Sequence, residues 1–354
     1  MTRVLVTGGA GFVGANLCLG LAARHPRWEI VALDNLKRRG SEINVGRLRA
    51  AGVAFEHGDV RSPADLESVG EITALVECSA EPSVMAGVTS SPAYLVETNL
   101  IGAYNCLELA RRDGADVVLL STSRVYPVAG LESLAYAEAE TRFELCADQA
   151  LPGASDAGVA EGFPLDGART LYGATKLAAE HLVTEYAATY GLRAAVDRCG
   201  VIAGPWQMGK VDQGIFAHWM LSFYFRRELA YIGYGGSGKQ VRDLLHVEDL
   251  VELVDDQLAR PEHWAGTTFN VGGGRRGSLS LLETTALCRE LTGNEVAVGG
   301  VPETRAGDVP VYLSDCAALY GHTDWRPRRE PREVLADVFE WIHDNERALR
   351  KSLS

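Results

Sequence analysis

The feature that most restricts this chain is a strand that breaks into glycines and restarts as a helix. Val4-Leu5-Val6-Thr7 is short and apolar, Gly8-Gly9-Ala10-Gly11-Phe12-Val13-Gly14 follows at once, and a helical pattern runs from Val13 to Arg24. Gly8 permits the tight turn, Gly11 lets the backbone approach a pyrophosphate, and Gly14 brings helix and strand close. The N–H groups at the helix start, around Phe12 and Val13, have no helical partners, and the helix dipole favours an anion beside them. Glycines in this spacing are a weak signal alone. A strand before, a helix after and an acid some twenty residues on make it specific.

That acid is Asp34, closing the apolar run Ile30–Asp34 and followed by Asn35. A carboxylate there accepts hydrogen bonds from an adenosine ribose and repels a 2′-phosphate, so NAD is expected over NADP. Lys37, Arg38 and Arg39 argue the other way: they suit a 2′-phosphate, or form a solvated basic turn. Asp59 and Val60, after the third strand, are placed near the adenine. Ala80 and Asn99 either line the cofactor groove or are structural.

The alternation continues through the first two hundred residues. Val53–Glu56, Ala74–Cys78, Val117–Ser121 and Ala194–Arg198 read as further strands, with helical stretches at Pro63–Val69, Ala93–Arg112 and Tyr172–Tyr190. This pattern predicts an α/β fold, a Rossmann-type doubly wound parallel sheet with helices on both faces. Past Gly200 the alternation fails and a smaller substrate-binding lobe is expected. The expected division is 1–200 for the dinucleotide-binding domain, with 240–265 returning to it, 201–239 and 266–330 for the lobe, and 331–354 as a C-terminal helix. Glu138–Arg169 is a long insertion with little periodicity, either functional or a disordered flap.

Tyr172-Gly173-Ala174-Thr175-Lys176 sets a phenol and an ammonium one turn apart on a helical face. A nearby cation stabilises phenolate, so Tyr172 can take and return a hydroxyl proton near neutral pH. Lys176 can also hold the nicotinamide ribose. Ser121-Thr122-Ser123-Arg124-Val125-Tyr126 ends the fifth strand, where Thr122 can hydrogen-bond a reacting oxygen. The pair is too common to convince by itself. Glycine loop, hydroxyl strand end and Tyr/Lys helix in that order are hard to explain structurally.

With these motifs the chain resembles the extended short-chain dehydrogenase/reductase family, which includes nucleotide-sugar epimerases and dehydratases, over nearly its whole length. The resemblance makes Thr122, Tyr172 and Lys176 catalytic and NAD the cofactor. It implies a nucleotide-diphosphate sugar substrate, with Arg242 in Gly238–Asp249 gripping the pyrophosphate and Arg305 in Glu303–Asp308 as a second nucleotide-contacting arginine. Ser123, Arg124, Arg142 and Gln213 are the remaining substrate-binding candidates, and Glu140, Arg142, Lys210, Asp212 and Gln213 either decide the sugar's pose or order a loop. In the family's 4,6-dehydratases Asp-Glu follows the catalytic threonine; Ser123-Arg124 stands here, which disfavours dehydration. Asp34-Asn35-Leu36, Glu140–Phe143, Val211–Gly214 and Gly238–Asp249 look most like a subgroup of CDP-sugar 2-epimerases. The implied activity is transient oxidation and re-reduction on the opposite face. A 4-epimerase of another nucleotide-linked hexose or heptose uses the same groups, and a non-catalytic NAD-binding sensor is the remaining alternative. The resemblance also implies a homodimer through the Ala93–Arg112 and Tyr172–Tyr190 helices.

The formal net charge of -13 argues against nucleic acid. No apolar stretch approaches the length that spans a bilayer, and the first strand starts too early for a signal peptide. The seven cysteines form no Cys-x-x-Cys pair and the eight histidines show no ligand spacing. A reduced, cytoplasmic, metal-free protein is expected.

Overall fold

The computed structural model describes residues 2–88, 90–209 and 213–353, without the side chains of 351–353. Lys210 and Asp212 therefore lie outside the described residues. Two compact units divide the chain. The first holds Met1–Val125, Leu171–Arg198 and Leu250–Phe269, and the second holds Tyr126–Thr170, Cys199–Asp249 and Asn270–Ser354.

The first unit is built on a seven-stranded sheet. Its strands are β1 (Arg3–Thr7), β2 (Glu29–Asp34), β3 (Ala54–His57), β4 (Ala74–Glu77), β5 (Asp116–Thr122), β6 (Ala194–Cys199) and β7 (Thr267–Val271). They lie in the order β7-β6-β5-β4-β1-β2-β3. β1 pairs in parallel with β2 and β4, β2 with β3, and β4 with β5. The order reverses between β1 and β4, the switch point at which such sheets bind ligands.

Both faces are covered, which is why the strand centres, such as Val4–Val6, Ile30–Leu33, Ala74–Val76 and Val117–Leu120, are continuous apolar runs. On one face α1 (Phe12–Arg24) comes so close to Val251 that a Cβ on Gly20 would stand 2.4 Å from its Cγ1. On the other, α2 (Gly102–Asp113) and α3 (Leu171–Tyr190) bury Cys106, Leu107, Ala110, Ala179 and Val183 against Leu5, Leu33, Leu75, Val117 and Val196. Complete burial of a Leu or Val contributes about 1.5–3 kcal/mol relative to exposure. The single helix expected over Ala93–Arg112 is instead a short helix Ala93–Val96, a π-helical turn Glu97–Ile101, and α2.

The second unit joins Val201–Ala203, Val241–His246, Ser278–Ser280 and Val311–Tyr312 in a small mixed sheet. Helices Ile215–Phe225, Leu281–Thr292 and Pro331–Asp344 enclose a core of Phe216, Trp219, Met220, Phe223, Cys288, Leu335 and Trp341. The chain passes from the first unit to the second after Arg198, and Tyr126–Thr170, expected within the first domain, falls in the second unit and bonds within it. Tyr126 O–H donates to Asn270 Oδ1 at 2.8 Å, Phe143 N–H to the Lys239 carbonyl and Val159 N–H to that of Leu313. The insertion is ordered by two short hairpins, Tyr136–Glu138 with Phe143–Leu145 and Ala154–Ser155 with Gly158–Val159. The segment returning to the first unit is Leu250–Phe269 rather than 240–265. The C-terminal helix is two helices, Pro331–Asp344 and Glu346–Leu353, parted at Asn345. No helix among the described residues is long and apolar enough to cross a membrane.

Candidate active site

The glycine loop closes on itself and on the neighbouring strand ends. Gly11 N–H donates to the Gly8 carbonyl, and the α1 ladder starts with Ala15 N–H on Gly11. That leaves the N–H groups of Phe12, Val13 and Gly14 as the uncapped donors of the helix start. Gly8 has φ +62°, and a Cβ on it would stand 3.0 Å from the Cys78 carbonyl oxygen; a Cβ on Gly14 would stand 2.2 Å from the Gly8 carbonyl oxygen. The backbone is therefore bare and tightly wound where a pyrophosphate would approach it.

Asp34 ends β2 beside this loop. Its Oδ2 accepts from Ala10 N–H at 3.1 Å and its Oδ1 from Leu36 N–H at 2.7 Å. Burial pushes its carboxyl up, opposed by the N–H groups of Leu36, Ala10 and Gly11. Asn35 donates to Asp59 Oδ2 at 2.9 Å and to the Tyr94 hydroxyl. Burial works against ionisation of Asp59, but hydrogen bonds from Arg61 and Asn35 outweigh it and hold the carboxyl down at about 2. Lys37 Nζ lies 5.3 Å from the centre of the Tyr94 ring and the Arg61 guanidinium 4.8 Å from it. Lys37 thus has an aromatic partner in the chain itself, and Asp34 is the carboxylate beside the glycine loop. These residues fit NAD.

Val60 is buried and packs where Gly102 has no Cβ, which would otherwise stand 2.6 Å from Val60 Cγ2. Ala80 follows β4 and is half-buried. Asn99, on the π-helical turn, is fully engaged by the protein: Oδ1 accepts from Glu81 N–H, and Nδ2 donates to the Glu81 carbonyl and to Thr175 Oγ1. It ties the loop after β4 to α3.

Thr122 is the last residue of β5, buried, with Oγ1 accepting from Arg124 N–H at 3.2 Å. Ser123–Val125 form a 3-10 turn against which α3 packs. Tyr172 and Lys176 stand in the first turns of α3, Tyr172 half-buried and Lys176 buried. Lys176 Nζ is 3.3 Å from Glu77 Oε2. Burial works to lower the ammonium, but Glu77 and Tyr172 outweigh it and its net direction is upward. One turn on, Glu180 receives the Ser121 hydroxyl and the Arg198 guanidinium, whose Nη2 is 2.7 Å from Oε2. This buried group locks α3 onto β5 and β6.

Glu77, Ser79, Glu180 and Arg198 were not among the residues picked out by sequence. Glu77 carried one usable signal: an acid at the end of a strand covered on both faces must have a buried partner.

In the second unit, Arg242 donates to Asp308 Oδ1 at 2.5 Å and to the carbonyls of Val241 and Val309. Arg142 donates to Ser278 Oγ at 2.6 Å. Arg305 is half-buried and among the described residues has no side-chain hydrogen bond or ion pair. Gln213 Oε1 and the Tyr234 hydroxyl are buried without a hydrogen-bond partner among the described residues. All seven cysteines are free: Cys18, Cys106, Cys199, Cys288 and Cys316 are buried, and Cys78 and Cys146 half-buried.

A doubly wound sheet with a glycine loop at its switch point, an acid on β2 and a Tyr/Lys pair on α3 defines a dinucleotide-dependent oxidoreductive enzyme of the extended short-chain dehydrogenase type. Residues 4–272 match the NAD-dependent epimerase/dehydratase family, and the chain belongs to it. It is 31% identical over 352 residues to the CDP-paratose 2-epimerase of Salmonella typhi, covering 96% of this chain and 98% of that protein. It is 30% identical over 348 residues to a dTDP-glucose 4,6-dehydratase of Mycobacterium tuberculosis, covering 97% and 94%. The structure is similar to that of the Thermus thermophilus UDP-glucose 4-epimerase in complex with NAD, with a TM-score of 0.76 and 27% identity over 97% of this chain and 99% of that one.

Proposed function

We propose that this protein epimerises a nucleotide-linked sugar by transient oxidation, and that the inverted centre is C2 of a CDP-sugar. The observation that carries the reading is the site around α3: Thr122, Tyr172 and Lys176 are gathered in one unit with the glycine loop, and Ser123-Arg124 stands where a dehydratase needs an acid and a base. The similarity to CDP-paratose 2-epimerase supports the carbon and the nucleotide.

Bound NAD would supply the hydride acceptor for the oxidation and the donor for the return. Tyr172 takes the sugar hydroxyl proton as the ketone forms and gives it back on reduction. Thr122 hydrogen-bonds the reacting oxygen, and Lys176 holds the phenolate and the nicotinamide ribose. Phe12, Val13 and Gly14 present their N–H groups to the cofactor pyrophosphate, and Gly8 and Gly11 leave room for it. Asp34, with Asn35 and Asp59 beside it, receives the adenosine. Arg242 grips the substrate diphosphate, with its charge shared with Asp308, and Arg305 contacts the nucleotide. Arg142, Gln213, Ser123 and Arg124 contact the sugar. The enzyme acts as a cytoplasmic homodimer.

Incubation with a panel of CDP-, UDP-, ADP- and GDP-sugars, followed by NMR of the recovered sugar, tests the proposal. Inversion at C2 of a CDP-sugar is expected. Inversion at C4 alone would transfer the reading to a 4-epimerase, and no turnover of any sugar by the NAD-loaded protein would favour a sensor. Tyr172→Phe should keep NAD binding and lose roughly 10²–10⁴ in turnover; an unimpaired variant removes Tyr172 from proton transfer.

A further inference from the structure

Glu77 is the last residue of β4 and stands in register with Thr7, the residue that leads into the glycine loop. It therefore sits at the switch point of the sheet. A carboxylate 3% exposed is costly unless its partners are in place. Both oxygens have one: Oε2 faces Lys176 Nζ at 3.3 Å, and Oε1 accepts from Ser79 Oγ at 2.5 Å. Lys176 is itself only 1% exposed, so Glu77 takes the place of water as its counter-charge. The strand end that carries this pair abuts the cofactor loop, since a Cβ on Gly8 would meet the Cys78 carbonyl oxygen and Ser79 Cα at 3.0 Å.

We infer that Glu77 is a positioning residue for the redox chemistry: with Ser79 it fixes Lys176 at the end of β4, keeps it cationic, and so sets the pH range over which the Tyr172–Lys176 pair works. This rests on the reading of Tyr172 and Lys176 as the catalytic pair. The titratable groups facing the ammonium are Glu77 at the end of β4, Cys78 just after it and Tyr172 on α3; Cys106 from α2 faces both Glu77 and Lys176. Burial pushes both thiols well up, so neither competes as an anion near neutral pH. Glu77 is then the carboxylate that offsets the burial of Lys176. Without that charge, burial drives the ammonium towards the neutral amine.

Glu77→Gln keeps the shape and removes the charge. Two quantities are read: the pH profile of kcat/KM, and NAD affinity by calorimetry without substrate. The alkaline limb should move down by about one pH unit or more, and NAD affinity should fall about tenfold at alkaline pH while changing little at mildly acidic pH. In a Lys176→Met background the same substitution should add nothing to NAD affinity. A lower Tm with the pH profile and the affinity both unmoved would mark a structural ion pair and overturn the inference. So would an effect on NAD affinity that persists without Lys176. If the Gln variant does not fold, Ser79→Ala withdraws one hydrogen bond from Glu77 and carries the same measurements, with a smaller shift in the same direction expected and an unmoved limb overturning it. Tyr172→Phe, run alongside, separates the two readings. Full activity there removes the redox pair itself; lost activity there with an unmoved Glu77→Gln profile removes only Glu77.

Discussion

At the residue scale, Asp197 shows how a buried acid can record its own protonation state. It lies on β6 with no exposed surface, and its Oδ1 accepts from Gln257 Nε2 at 2.9 Å. Its Oδ2 and Gln257 Oε1 are both without a partner among the described residues. Protonation would turn one of these two unpartnered acceptors, the carboxyl oxygen, into a donor. Burial raises the carboxyl to about 7, with the Gln257 hydrogen bond pulling the other way. The folded state therefore holds a proton that the unfolded chain releases above its ordinary value of 3.8. This contribution is fully present below that value and is lost as pH rises to about 7, a change on the order of 4 kcal/mol. Asp197→Asn should flatten it: the urea midpoint should differ less between acidic and mildly alkaline pH than in the parent. An equal difference in both proteins would show that Asp197 is ionised throughout. The sequence displayed Asp34, Thr122, Tyr172 and Lys176 because each sits in a spaced motif. It concealed Glu77, Glu180 and Asp197, whose partners are 99, 18 and 60 positions away and meet only on folding.

At the scale of elements, the strands of the first unit were readable because burial on both faces forces continuous apolar runs. The π-helical turn was not, since Glu97–Ile101 has ordinary helical composition and widens where Asn99 reaches Glu81 and Thr175. The hairpins of the insertion were hidden too, because strands of two or three residues are too short to show a period. Glycines give the sharpest test at this scale. Gly14→Ala forces a Cβ to 2.2 Å from the Gly8 carbonyl oxygen and 2.8 Å from Gly9 Cα, atoms of a wound backbone that cannot swing aside. The expected cost is about 1–3 kcal/mol in stability, together with weakened NAD binding. Gly46→Ala, in the helix Ser41–Ala50 with nothing within 4 Å, should instead stabilise by up to about 1 kcal/mol. Thermal melts with and without NAD distinguish the two. A Gly14→Ala protein with parental NAD affinity would show that the loop yields.

For the whole molecule, the net charge of -13 sets a condition on the proposed homodimer. Two copies repel one another, so association must come from apolar surface rather than from charge. Ile101 and Tyr104, at 44% and 43% exposure, and Tyr190, at 56%, offer such surface at and beside α2 and α3, whose helices pack together. The polar groups among them are already paired: Glu108 receives the Tyr186 hydroxyl and Arg111, and the Arg111 guanidinium lies 5.2 Å from the centre of the Tyr190 ring. Salt screens the repulsion and leaves apolar burial intact. Sedimentation should therefore show a dimer that tightens as ionic strength rises. Tyr104→Glu with Tyr190→Glu adds two like charges to each copy and removes two aromatic contacts, which should give a monomer at protein concentrations where the parent is dimeric. Because both tyrosines are remote in sequence from the glycine loop and point to solvent, that monomer should keep its NAD affinity. A parent that is monomeric at every salt concentration, or a double variant that remains dimeric, would place the interface elsewhere or nowhere.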